Sequence, residues 1–172
     1  KDGQIVGTFG ISRDITERKQ VEEALARERN LLRSLIDNVP DYIYVKDTES
    51  RFITCNPSLA RLMGVATPDE LVGKTDFDFY PHELAAKYCA DEQTIFQSGQ
   101  PLLEHEEPVV DVAGNPEWIS TTKVPLRDAQ GKIFGLVGMG RDITERKQAE
   151  AERERLMADL ERRALQLQTA AE

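Results

Sequence analysis

Apolar positions change their period along the chain, and the changes mark its elements. Between residues 16 and 39 Val21, Leu25, Leu32, Leu35 and Val39 recur at helical spacing. Neither Gly nor Pro interrupts the run, which predicts a long helix stopped by Pro40. Residues 42–46 and 52–55 are β-rich and flank the polar turn 47–50, a hairpin signal. Asn56-Pro57 offers a cap and a proline at the first helical position of a short helix, ended by Gly64. Thr67 and Glu70 have capping-box spacing, closed by Gly73. Pro81 opens a longer helix to about residue 97, before Gly99. Strands are predicted at about 102–110, 117–126 and 132–141, with turns at Gly114-Asn115-Pro116 and Gly131. Asp142 or Thr144 then caps a helix with no Gly or Pro from 144 to 172.

An internal repeat organises these elements. Residues 13–20, RDITERKQ, recur letter for letter at 141–148. At the same offset Gly3, Ile5, Gly7 and Gly10 align with Gly131, Ile133, Gly135 and Gly138. A repeating module is the expected cause. The division that follows assigns 1–13 to the last strand of a preceding module and 14–39 to a linker helix. Residues 40–141 form one full module, and 142–172 the next signalling helix. Because Lys1 rather than Met comes first, a fragment of a longer chain is expected.

Charge sharpens the division. The chain of 172 residues carries 22 basic and 31 acidic groups, a net −9. Residues 1–40 hold seven of each sign and 129–172 eight of each, so the whole excess lies in the centre. Balanced, interleaved charge suits solvated helices with i,i+4 pairs. The acidic balance argues against nucleic acid as a partner, since phosphate contact needs a basic stripe. A hydrophobic content of 40% supports one packed core. No apolar run approaches a bilayer span, so no membrane contact is expected. Two cysteines, Cys55 and Cys89, exclude a disulfide scaffold and favour a reducing compartment, with a cytoplasmic location expected. No phosphate loop, dinucleotide fingerprint or C-x-x-C-H sequence occurs. No nucleophile–base pair or metal set stands out either, so the chain is read as non-enzymatic.

Several motifs together resemble a PAS domain. They are Asp47-Thr48-Glu49-Ser50-Arg51-Phe52, Asn56-Pro57-Ser58-Leu59, Leu71-Val72-Gly73-Lys74, Gly131-Lys132-Ile133-Phe134-Gly135 and the exit motif Asp142-Ile143-Thr144. The resemblance covers about residues 40–147. It implies an α+β fold, a five-stranded antiparallel sheet with a helical crossover, flanked by coiled-coil-like helices. It further implies a sensory module that senses a small ligand, or relays an upstream signal, and acts on a downstream output domain of the same chain, a histidine kinase by resemblance. The alternatives are a ligand-free dimerisation relay and a haem-binding gas or redox sensor. Flavin-binding light sensors of the family carry an N-C-R-F cysteine motif. Neither Cys55 nor Cys89 matches it, which argues against a covalent flavin. His82, at the start of the central helix, is the candidate haem ligand, although haem-binding relatives place theirs deeper along that helix. The cofactor is otherwise unassigned.

Four residues fall together by period. Tyr88 and Phe96 lie eight apart on the central helix, and Trp118 and Thr122 share a strand face, so they are candidates for a pocket between helix and sheet. Cys55 sits at its margin, and plain core packing explains the same pattern. His105 reads as part of a solvated strand face, and Asp76 and Asp78 as capping or loop carboxylates. No metal site is assigned. Arg141, Asp142, Ile143 and Thr144 join the last strand to the output helix and are the candidate coupling residues. Val21, Leu25, Leu32 and Leu35 form a heptad seam broken by Glu28, and the repeat places Leu156, Leu160 and Leu167 in phase with them. A parallel homodimer through both helices is therefore expected.

Overall fold

A computed structural model describes residues 16–110 and 116–169. The strand assigned to residues 1–13 lies outside the described residues.

The chain divides into two units, at Asn38 and Val39. The described part of the first is helix α1 (Thr16–Asn38). Its surface is laced by i,i+4 ion pairs, Arg18 to Glu22 at 2.7 Å and Arg33 to Asp37 at 3.0 Å. Such pairs add only tenths of a kcal/mol each. No residue of α1 is buried, and Val21, Leu25, Leu32 and Leu35 are exposed.

The second unit runs β1 (Tyr42–Asp47), β2 (Phe52–Cys55), α2 (Pro57–Leu62), α3 (His82–Ser98), β3 (Leu102–Val110), β4 (Pro116–Arg127), β5 (Ile133–Asp142) and α4 (Thr144–Thr169). Short 3₁₀ turns at Pro68–Glu70 and Asp76–Asp78 lie between α2 and α3. The strands form one antiparallel sheet in the order β2-β1-β5-β4-β3. The crossover from β2 to β3 carries the helices, and one face of the sheet looks toward them. This is the α+β arrangement that the motifs imply.

Local chemistry sets the joints. Asp47 Oδ1 accepts from the Glu49 and Arg51 amides, both at 2.9 Å, closing the β1–β2 turn. Asn56 is fully buried and satisfied: Oδ1 accepts from Ile43 N and Leu59 N, and Nδ2 donates to the Asp41 carbonyl. One side chain thus caps α2 and pins it to β1. The capping box forms, with Thr67 N donating to Glu70 Oε1 at 2.9 Å. Gly99 ends α3 at φ 66°, a left-handed cap that a side chain resists. Phe52, Cys55, Leu59, Ala60, Met63 and Leu71 pack as a core between β2 and the first helical segments.

Candidate functional site

Period two along each strand decides which residues face α3. From β1 these are Tyr42, Tyr44 and Lys46; from β4 Ile119, Thr121 and Lys123; from β3 Glu107 and Val109. Strand β5 contributes glycine where β1 contributes aromatics. A Cβ on Gly138 would lie 2.1 Å from the Tyr44 ring, so the bare backbone makes room for that ring. On α3 the inward positions are Ala85, Tyr88, Glu92 and Ile95, at spacings of three, four and three. Of these, Tyr88 and Glu92 line a cavity of about 80 Å³ together with Tyr80, Phe52 and Met63.

The wall of this cavity carries buried charge. Lys46 is 2% exposed and Glu92 is fully buried. Lys46 Nζ donates to Glu92 Oε1 at 2.7 Å and also to Asp76 Oδ2. The Lys46 ammonium lies 4.5 Å from the Phe52 ring centroid. Lys123, 3% exposed, stands 3.9 Å from Glu92 Oε1 and 5.6 Å from the Tyr88 ring centroid. Glu107 accepts from Lys87 Nζ at 2.8 Å and from Thr121 Oγ1 at 3.5 Å. Three carboxylates thus meet three ammonium groups. Burial pushes the Asp76 carboxyl above its ordinary value, with Lys46 pulling the other way. Burial, aided by Glu92, raises the Tyr44 phenol well above its ordinary value, and burial lifts Tyr80 to about 12. Tyr88 rises for the same reason, so all three phenols are neutral donors at physiological pH. Buried ion clusters are costly relative to apolar packing, so this one adds little net stability over apolar side chains of the same volume.

On the opposite face of the sheet lies the start of α4. Glu106, next to Glu107 on β3, faces this side and binds Lys147 Nζ at 2.6 Å and the Arg146 guanidinium. These two cations hold its carboxyl down at about 2. Trp118 accepts from Ile143 N at 2.8 Å through its carbonyl, and its amide donates to Thr144 Oγ1 at 2.9 Å. Its ring lies 5.2 Å from Lys147 Nζ. Arg141 reaches back to Asp41, with Nη2 at 2.8 Å from Oδ2. Asp142 Oδ1 accepts from Thr144 N at 2.8 Å, and Ile143 is buried. The four residues 141–144 thus meet at one junction. Thr144 differs from the capping role read for it, since its hydroxyl is spent on β4.

The other candidates scatter. Tyr88 lines the cavity. Trp118 and Thr122 occupy the outward phase of β4, with Trp118 37% exposed and Thr122 accepting from Glu104 N. That is a one-residue change of phase, which turns every side chain to the other face. Phe96 falls outside the lining, because eight residues on a helix leave a rotation of roughly 80°. Cys55 is buried in the core, 3.8 Å from the Pro68 carbonyl, and Cys89 lies 3.9 Å from Ser50 Oγ. His82 is exposed on the first turn of α3 against Phe77, away from the cavity. His105 is exposed on β3. Asp78 accepts from Thr75 N as a cap, while Asp76 is drawn into the cluster. Among the described residues no group of three or more His, Cys, Asp or Glu is placed to hold a metal, and no helix is long and apolar enough to cross a membrane. Leu156 and Leu160 are exposed on α4; the side chain of Leu167 is not among those described.

The sequence reading missed Lys46, Glu92, Glu107 and Lys123. A signal was present for two of them, a charge in the apolar phase of its element. It holds for Lys46, in phase with Tyr42 and Tyr44, and for Glu92, between Tyr88 and Ile95.

Comparisons with known proteins agree with this architecture. The profile of a family described as PAS fold matches residues 36–148. The methanogenesis regulatory histidine kinase FilI of Methanothrix harundinacea is 32% identical over 139 residues. The match takes in 79% of this chain and 15% of that kinase, so the chain spans a small part of the relative's length. The solved PAS domain of BvgS from Bordetella pertussis is 29% identical with a TM-score of 0.59. It covers 79% of this chain and 98% of that one. A Vibrio cholerae VqmA–ligand–DNA complex is 28% identical with a TM-score of 0.59, covering 64% of this chain and 49% of that one.

Proposed function

Since the chain belongs to the PAS family, we propose that its cavity senses a small molecule and that its sheet passes occupancy to α4. One observation carries this reading. Neighbouring residues of β3 face opposite ways, Glu107 into the cavity and Glu106 onto Arg146 and Lys147 of α4. A shift of β3 on the cavity side therefore moves the anchor of the output helix. Strand β4 repeats the device, with Ile119 lining the cavity and Trp118 bonded to Ile143 and Thr144. The VqmA complex with a ligand supports a small-molecule role for this fold.

The output domain in this proposal is a histidine kinase further along the same chain, as in FilI. The active form is a parallel homodimer, because Val21, Leu25, Leu32 and Leu35 on α1, and Leu156 and Leu160 on α4, present apolar side chains to solvent within the single chain. Native mass spectrometry of the purified protein, read beside its absorbance spectrum, tests the sensing step. A bound small molecule released on denaturation is the expected result. An empty cavity under all preparations, with unaltered signalling when the cavity is filled by mutation, contradicts it and leaves a ligand-free relay.

A further inference from the structure

Resting on the sensor reading, we propose that the cavity recognises a small, neutral molecule through the edge of an amide: a carbonyl and an N–H on the same side, as in a primary amide, a urea or a lactam. One unsatisfied acceptor and the ammonium beside it carry this. Glu92 lines the cavity, and among the described residues no hydrogen-bond donor reaches its Oε2. Lys123 lines it too, and the carboxylate nearest its ammonium, Glu92 Oε1, is at 3.9 Å, beyond hydrogen-bond distance. A buried acceptor left unpaired is costly, and the Lys123 ammonium beside it offers a donor. They stand side by side on α3 and β4, so one ligand edge answers both, its carbonyl accepting from Lys123 and its N–H donating to Glu92.

Charge and shape narrow the class. Lys46, Lys87 and Lys123 balance Asp76, Glu92 and Glu107, and a charged ligand would upset that balance. A trans peptide unit points its carbonyl and N–H in opposite directions and cannot present this edge. Tyr44, Phe52, Tyr80 and Tyr88 supply flat apolar walls for the remainder of the molecule. The cavity of about 80 Å³ is roughly half the size of one that accepts benzene, so the molecule is compact.

The test compares acetamide with acetone, which has the same outline and carbonyl but no N–H. Both are titrated into the isotope-labelled full chain, with amide resonances read at the cavity and at 144–150. The expected result is saturable shifts at Glu92 and Lys123, with acetamide about tenfold tighter or more, the worth of a hydrogen bond to a charged group. Lys123→Met and Glu92→Gln, each checked for folding by circular dichroism, should weaken it by a similar factor. Equal affinity for the two probes overturns the amide-edge assignment even if neither variant folds, while the sensor reading stands because the cavity still binds. Binding of neither probe overturns the assignment as well. Tight, selective binding with 144–150 unmoved upholds the assignment and defeats the sensor reading instead.

Discussion

At the residue scale the structure turns on charges placed where apolar side chains belong. Asp76 offers a pH test. Its folded carboxyl is raised above 3.8 by burial, so the folded chain binds that proton more tightly than the unfolded one. Its contribution to stability is complete below 3.8 and lost as pH rises through the folded value. The stability of the native protein relative to Asp76→Asn should therefore shrink as pH rises, measured by urea unfolding; a widening difference reverses the sign and the cause. Gly138→Ala should cost about 1–3 kcal/mol in the same assay, because the new methyl group collides with the Tyr44 ring. A neutral substitution would mean that the ring is not held there. Residue roles were only partly legible in the sequence. Tyr88 could be found because an aromatic at helical spacing is an ordinary inward signal. The phase of β4 could not, since Trp118 and Thr122 look more pocket-like than Thr121 and Lys123. Only the pairing with β5 fixes which set faces α3. Nothing local announces that Lys46 and Glu92, 46 residues apart, share a bond.

At the element scale boundaries were the legible part, because they are written in local chemistry. Asn56, the Thr67 box, Gly99 and the Asp142–Thr144 joint all do locally what their residue types allow, and the strands fall within a residue or so of their expected ends. What local signals hid is that the start of α4 is held by β3. Glu106→Gln should accelerate amide exchange across 144–150 while leaving the cavity residues protected. Its carboxyl is held at about 2 against an ordinary 4.5, so the native advantage over Glu106→Gln is full above 4.5 and fades as pH falls through about 2. Unchanged exchange would show that Trp118, Ile143 and Thr144 suffice to hold the helix. Asp142→Ala loses the bond to Thr144 N and should fray the same turn, at about 1 kcal/mol. Circular dichroism and helix exchange measure it.

At the scale of the whole molecule, one sheet carries the cavity on one face and the start of α4 on the other, and the apolar stripes of α1 and α4 are the proposed dimer surfaces. Leu32→Cys and Leu160→Cys, each in a background lacking Cys55 and Cys89, should crosslink between chains under mild oxidation. Monomer alone in sedimentation at tens of micromolar, with neither cysteine crosslinked, would remove the proposed dimer. The fold was legible as a whole because its motifs are dense between residues 47 and 144, whereas the pairing of chains is only implied by an imperfect heptad. The proposed route from the cavity to α4 runs through β3. Hydrogen exchange of residues 144–150 in Glu107→Gln tests it most directly. The substitution weakens the hold of Lys87 and Thr121 on the inner side of β3 and touches nothing on α4. Altered protection at 144–150, lost when Glu106→Gln is added, is the result expected. Protection at 144–150 that stays constant while the cavity amides change would contradict that route.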